Sequence, residues 1–122
     1  MDEKDARRAI AIVALVRQHI SKQPTRISSN EGYFTLRGAT YSSGKFKVGD
    51  GNGEPIVAEG LTSSTFEVDY GSYTGKIQIK MSGDTFTAHD LNKGKDYRGE
   101  VTSDSKVTLN GGGVTDLEFT IY

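Results

Sequence analysis

Apolar and polar residues alternate most regularly in the stretch Lys76-Ile77-Gln78-Ile79-Lys80-Met81. Successive side chains of a β-strand point to opposite faces of the sheet, so Ile77, Ile79 and Met81 would share one face. The polar residues between them would share the other face. This period of two is typical of a half-buried strand, and it predicts a strand with one face in a core and the other in water.

The same apolar–polar–apolar pattern recurs in four runs, whose starts are separated by 20, 20 and 21 residues. Each run is followed by a turn sequence and a second run, and Asn or Asp beside Gly supplies the positive φ angles of tight turns. The leading runs are Phe46-Lys47-Val48, Phe66-Glu67-Val68, Phe86-Thr87-Ala88 and Val107-Thr108-Leu109, and the return strands are expected near 55–59, 76–81, 96–102 and 116–122. We interpret the pattern as four hairpin repeats, each of about 20 residues. Chance recurrence of turn signals is the alternative, but the all-β prediction does not depend on true repetition.

An earlier strand is expected near 33–37, which gives eight to nine short strands in total. Consecutive antiparallel strands form a meander. In one small domain such a meander closes into a barrel or folds into a two-sheet sandwich, because both arrangements bury the apolar face and hide strand edges. The choice depends on the shear between strands, which the sequence leaves open. We therefore predict a mainly β fold with Phe46, Phe66, Phe86 and Leu109 in a shared interior.

The first 24 residues have a different composition, because every glycine and every aromatic residue lies beyond residue 31. Apolar residues recur here at steps of three and four, which predicts an α-helix over residues 2–22. The residues of this apolar stripe are Ala6, Ala9, Ile10, Val13, Val16 and Ile20. Pro24 cannot continue a helix, so the helix should end near Ser21. Ile12 and Leu15 widen the stripe and favour deep burial, with the helix capping one barrel end or filling the lumen.

Other interpretations of the helix fit less well. A signal peptide would begin with basic residues and end at a small-residue cleavage site, whereas residues 1–5 are acidic overall and Arg17-Gln18-His19 offers no such site. A transmembrane helix would need about 20 apolar residues. A helix that binds a partner or a membrane surface is a further alternative. The predicted strands are too short and too polar outside for an outer-membrane barrel, so we expect a soluble protein.

Length and composition exclude several classes of protein. The 122 residues suffice for one domain, 1–122, made of the helix and an antiparallel β region over 25–122. The absence of cysteine excludes disulfides, thiolate catalysis and Cys-based zinc or iron–sulfur sites. With 15 basic and 16 acidic residues the net charge is −1, which disfavours a strongly basic nucleic-acid-binding protein.

Oxygen-bearing side chains stand at alternate positions in Asp50, Asn52 and Glu54, the spacing that begins a calcium loop. Pro55 stands where an EF-hand requires glycine, and Leu61 stands where it requires the bidentate glutamate. A hairpin turn explains the same residues, so this calcium site is a weak candidate and we predict no cofactor.

The sequence contains two histidines, and His89 is the one placed beside an acid, Asp90. Alternation after Phe86 and Ala88 puts His89 on the polar face of its strand. No Gly-x-Ser-x-Gly nucleophile motif is present. A hydrolase-type enzyme built around His89 and nearby carboxylates therefore stays an alternative, and we consider a non-enzymatic protein the better interpretation.

Tyr70, Tyr73 and Tyr97 lie at or near predicted turns, where exposed rings could stack on sugars, bases or partner proteins. We take them, with His89, as candidate ligand-binding residues. Packing into the core is the alternative for each tyrosine. Basic residues lie near Tyr97, but acids are interspersed with them, which disfavours nucleic acid as the ligand.

The function that the sequence favours is a binding or interaction module that uses loop tips or a barrel mouth. Its partner would be a small apolar molecule, a glycan or a protein. A structural or assembly subunit, including a homo-oligomer that pairs through the helix or an edge strand, is the other non-enzymatic alternative. A helix that filled the barrel would argue against a ligand cavity inside it.

Overall fold

The structure is a computed structural model that describes residues 3–49, 55–70 and 76–122. It is mainly β, with one N-terminal helix and an antiparallel sheet of eleven strands. The elements in chain order are α1 (Glu3–Gln18), β1 (Arg26–Ser29), β2 (Gly32–Thr35), β3 (Arg37–Ser42), β4 (Lys45–Gly49), β5 (Pro55–Glu59), β6 (Thr65–Tyr70), β7 (Ile77–Ser82), β8 (Thr85–Asp90), β9 (Lys95–Val101), β10 (Lys106–Gly111) and β11 (Val114–Ile121). The predicted fold class is confirmed.

The sheet is a nearly closed barrel. Strands β3 to β11 pair in chain order, β11 then pairs with β1, and β1 pairs with β2. The two ends of the sheet, β2 and β3, are successive parts of one run of chain separated by Leu36 alone. This run pairs with β1 through its first half and with β4 through its second half. It therefore joins the two sides of the sheet, and the barrel is formed rather than the sandwich.

The four predicted hairpins correspond to β4–β5, β6–β7, β8–β9 and β10–β11, and each pair is antiparallel. The turn between β8 and β9 shows the expected chemistry. The Asp90 carboxylate accepts hydrogen bonds from the backbone N–H groups of Asn92 and Lys93 at 3.0 and 3.2 Å, and Gly94 has a φ of 65°. The predicted turns at 50–53 and 71–75 lie outside the described residues.

The sheet has more strands than the eight to nine expected. Two segments with little alternation account for the difference: β1 was not predicted, and the strand expected near 33–37 is divided between β2 and β3. In β1 only Ile27 is buried, so the segment carries almost no period-two signal. Pairing with β2 and β11, rather than local pattern, holds it in the sheet.

The helix α1 fills the interior of the barrel. All residues from 6 to 16 are buried, on every side of the helix, and α1 packs against strands β6 to β11. The predicted core residues Phe46, Phe66, Phe86 and Leu109 are at most 3% exposed and belong to the same core. Of the two positions expected for the helix, the lumen is the one it occupies.

The helix ends at Gln18, before the predicted end near Ser21. At this point it leaves the enclosure, since Arg17 donates to the Ser63 carbonyl at 3.2 Å and Gln18 donates to the Asp84 carboxylate at 2.8 Å. Both partners lie in turns at the barrel rim. Ile20 lies beyond the helix and is 58% exposed, so its predicted place in the buried stripe is wrong.

No helix within the described part of the chain has the length and the apolar run that crossing a membrane requires.

Candidate functional site

The outer face of strands β7 to β10 contains a concavity of about 700 Å³, which we call the outer groove. Alternation along the strands points one set of side chains out of the barrel and into this groove. The register aligns them in two rows that cross the strands, Lys80–Thr87–Arg98–Asn110 and Ser82–Thr85–Glu100–Thr108. The walls of the groove therefore consist of ammonium, guanidinium, carboxylate, hydroxyl and amide groups.

Gly99 forms part of the groove floor. It pairs with Phe86 of β8, and the Phe86 ring fills the space that a side chain at position 99 would occupy. A Cβ built on Gly99 would lie 2.4 Å from Phe86 Cζ and 2.5 Å from the Thr108 carbonyl oxygen. Only glycine permits this close approach of β8, β9 and β10.

A second concavity, of about 370 Å³, continues the groove and shares Lys80 and Thr87 with it. His89 and Asp96 line this part, where they stand opposite each other on β8 and β9. His89 Nδ1 and Asp96 Oδ1 are joined by a hydrogen bond. The side chains are 42% and 83% exposed, so a ligand in the groove can reach both of them.

Two cations of the outer groove lack a partner. Within residues 3–49, 55–70 and 76–122, Lys80 and Arg98 make neither an ion pair nor a side-chain hydrogen bond, unlike four other surface lysines that form ion pairs. The paired lysines are Lys45 with Glu59, Lys76 with Glu67, Lys95 with Glu3 and Lys106 with Glu118, at 3.3, 3.1, 3.7 and 3.5 Å. The hydrogen-bonding capacity of Lys80 and Arg98 is available to a ligand.

Of the candidate ligand-binding residues that the structure describes, His89 alone lies in the groove as an accessible side chain. Tyr70 and Tyr97 stand near strand ends as expected, but their rings are buried, with 4% and 3% exposure. Position 70 follows the inward positions 66 and 68 by alternation, and position 97 faces inward in the same way on β9. The expectation of exposed rings is wrong for both tyrosines. Tyr73 and the calcium candidates Asp50, Asn52 and Glu54 lie outside the described residues.

The buried tyrosines are near two buried arginines where α1 begins. Arg7 donates from Nε to Glu31 at 2.8 Å and from Nη2 to the other oxygen of that carboxylate, and this pairing raises the pKa of Arg7. Burial raises the pKa of Tyr97, and the nearby Arg7 guanidinium offsets part of the rise. The Tyr97 hydroxyl is close enough to Arg7 for this charge effect but has no hydrogen-bond partner of acceptable geometry among the described residues.

The neighbouring Arg8 is held by three groups. It donates to Asp5 at 2.6 Å and to the Tyr70 hydroxyl at 3.5 Å, and its guanidinium lies 3.7 Å from the centroid of the Phe34 ring. Together with Arg7, these contacts fasten the start of the helix to the barrel wall. We assign this cluster a structural role. No group of three or more His, Asp or Glu side chains suited to a metal ion occurs among the residues that the structure describes.

Sequence reasoning missed the exposed tyrosines, Tyr33 and Tyr122. They lie on either side of Arg26, whose guanidinium is 5.9 Å from one ring centroid and 4.4 Å from the other. Arg26 also donates to the Tyr33 hydroxyl at 3.2 Å. Pairing of β1 with β2 and β11 brings the three residues together, so strand register, rather than turn proximity, was the signal needed.

Comparison with known proteins gives no match for this chain, whether with protein-family models, with curated proteins or with solved structures.

Proposed function

We propose that the protein is a non-enzymatic binding module that binds a hydroxyl-rich ligand, a glycan, in the outer groove. The observation that carries this proposal is the position of the groove. Hydrogen-bonding side chains from four adjacent strands line it, while α1 occupies the barrel interior.

The chemistry of the groove fits sugar hydroxyl groups, each of which both donates and accepts hydrogen bonds. Lys80 and Arg98 can only donate, whereas ionised Glu100 and Asp96 can only accept. Threonine hydroxyls and the Asn110 amide can do both. Because a sheet holds these groups, their spacing is set before the ligand arrives, which lowers the entropic cost of binding.

Other ligands fit this chain less well. A small apolar molecule would need the interior, which the helix fills. Nucleic acid would need several stacking rings and a basic surface, but the described outward side chains of the groove include no Phe, Tyr or Trp ring, and Glu100 and Asp96 offset its two cations. Assembly through the helix would require α1 to leave the barrel.

An array of neutral and acidic oligosaccharides, probed with the purified protein, tests the proposal. Thr87→Trp would place a large side chain in the centre of the groove, and Thr40→Trp would make the same change on the exposed face of β3. We expect binding to at least one class of oligosaccharide, lost in Thr87→Trp and kept in Thr40→Trp, with both variants folded by circular dichroism. Absence of glycan binding, or equal binding by the two variants, would contradict the proposal.

A second candidate function follows from the His89–Asp96 hydrogen bond. A carboxylate that orients an imidazole inside a concavity is an arrangement used for general-base catalysis, so the alternative to a non-enzymatic module is an enzyme that hydrolyses the bound ligand. Release of reducing ends from bound oligosaccharides is the assay. His89→Gln should abolish it, and His19→Gln, outside the groove, should not. Product release that is the same in wild type and His89→Gln would exclude this role.

A further inference from the structure

We propose that the outer groove selects an acidic sugar, whose carboxylate or sulfate group lies over Thr87 between Lys80 and Arg98. This inference rests on the proposed glycan-binding function and specifies its ligand. The other features of the groove then contact the neutral hydroxyl groups on either side of the acidic group.

Strand register places the two cations symmetrically about Thr87. Lys80 is directly opposite Thr87 on one side, and Arg98 is directly opposite it on the other. Because adjacent strands are about 4.8 Å apart, the Cα atoms of the two cations are separated by roughly 10 Å. Long Lys and Arg side chains can both reach an anion held midway, and the Thr87 hydroxyl can donate a third hydrogen bond to it.

The same register places only neutral residues directly opposite the two cations. Lys80 has Thr65 as its other opposite residue, and Arg98 has Asn110. All directly opposite positions are therefore neutral. Glu100 lines the same concavity but forms no ion pair with Lys80 or Arg98 in the part of the chain that the structure describes, so both cations can pair with an external anion.

The pattern along β9 indicates an isolated anionic group rather than a polyanion. The outward residues of this strand are Asp96, Arg98 and Glu100, so the cation stands between two carboxylates. A polymer with a negative charge on every unit would bring like charges against Asp96 and Glu100. A sugar with one acidic group would instead offer hydroxyl donors to these carboxylates, which favours an acidic glycan over nucleic acid.

Isothermal titration with matched oligosaccharides tests the inference. The probes are an oligosaccharide with one uronic-acid unit, its methyl ester, and the same oligosaccharide bearing one sulfate ester. We expect the methyl ester to bind about tenfold more weakly than the acid, as loss of one charge-assisted hydrogen bond implies. Lys80→Gln and Arg98→Gln should each weaken binding of the acid by about tenfold and leave binding of the methyl ester nearly unchanged. A preference for the uronate or for the sulfate identifies which anion the groove selects.

Exposed residues outside the groove supply matched controls. Lys47→Gln on β4 and Arg37→Gln on β3 remove the same charges and should not change the affinity. Equal affinity for the acid and its methyl ester, with loss of both in Thr87→Trp, would overturn the acidic subsite and leave the glycan-binding function intact. Failure of every oligosaccharide to bind would overturn both proposals. Tighter binding of a peptide with one glutamate than of the uronate would overturn the assignment to a sugar.

Discussion

Replacing Gly99 with alanine tests the close packing beneath the outer groove. The backbone of Gly99 lies outside the left-handed region, so the penalty is steric rather than conformational. The new Cβ would meet Phe86 Cζ and the Thr108 carbonyl oxygen, each about 1 Å closer than ordinary van der Waals contact. One of these atoms belongs to a buried ring and the other to backbone, so neither can move freely.

The expected cost of Gly99→Ala has two parts. Displacing the buried Phe86 ring overpacks the core, which costs about 1–3 kcal/mol. Shifting the Thr108 carbonyl strains the pairing of β9 with β10 and weakens a backbone hydrogen bond, worth about 1 kcal/mol. We therefore expect the free energy of unfolding to fall by about 3 kcal/mol, a large part of the 5–15 kcal/mol typical of a domain.

Urea unfolding followed by circular dichroism measures this loss. With a slope of about 1.5 kcal/mol per molar urea, the midpoint should fall by about 2 M. Gly83→Ala is the control, because Gly83 has a φ of 61° but no neighbour within 4 Å of its Cβ position. It should cost about 1 kcal/mol through the left-handed backbone alone. A loss below 1 kcal/mol for Gly99→Ala, or a larger loss for Gly83→Ala, would refute the steric argument.

Three further predictions concern the enclosed helix and its attachment. Leu15→Ala should lower the free energy of unfolding by about 2–5 kcal/mol because it leaves a cavity inside the barrel. Ile20→Ala, beyond the helix end, should change it by less than about 0.5 kcal/mol, and the urea midpoints of the two variants measure the difference. Glu31→Gln should cost about 2 kcal/mol in the same assay, since it removes the charge of the carboxylate that accepts two hydrogen bonds from buried Arg7 and leaves the longer ion pair with Glu3 at 3.8 Å. An unchanged midpoint would count against that role. Burial raises the pKa of Tyr97 above 10.0, so at high pH the folded protein keeps a proton that the unfolded chain releases. This difference in proton binding stabilises the folded state fully below about pH 10, and the stabilisation is lost as the pH rises towards the pKa of the folded state. Urea midpoints at about pH 9 and pH 11 should therefore fall less in Tyr97→Phe than in wild type, and parallel falls would contradict the assignment.

The hairpins could be predicted because their signals are local. Alternation and turn chemistry lie within each 20-residue unit, and the strand expected at 55–59 is β5 as observed. Strand β1 could not be predicted in this way. Its partner β11 lies near the other end of the chain, and Ile27 is the one buried side chain in its four residues. Closure of the barrel was likewise left open, because it depends on stagger between strands that are distant in sequence.

The position of the helix was harder to predict than its existence. The spacing of apolar residues predicts a helix with one buried face and would place Arg7 and Arg8 in water. In the structure the helix is buried on every side, and both arginines are buried with it. Their burial depends on Glu31 and Phe34, which β1 and β2 bring to the start of the helix. A buried charge is tolerated only when its partners are present. Because these partners come from other elements, the apolar pattern of the helix cannot predict that the two arginines are buried.

The candidate site was partly predictable, because local alternation along a strand indicates which side chains face outward. Alternation after Phe86 correctly placed His89 on the outer face, but proximity to turns gave the wrong orientation for Tyr70 and Tyr97. Counting alternation through those two strands would have placed both rings inside. The placement of Lys80 and Arg98 on either side of Thr87 depends on the register of three strands. The sequence alone does not give that register.

In a barrel that encloses its own helix, the inward residues of each strand pack the core and the outward residues face solvent. On β8, Phe86 and Ala88 face the core, where packing against α1 and Gly99 restricts side-chain size. Thr87 and His89, between and beside them, face outward and contribute nothing to that packing. Because the interior is filled, the proposed binding site lies on the outward rows, and these rows can change in charge while the alternation along each strand is preserved.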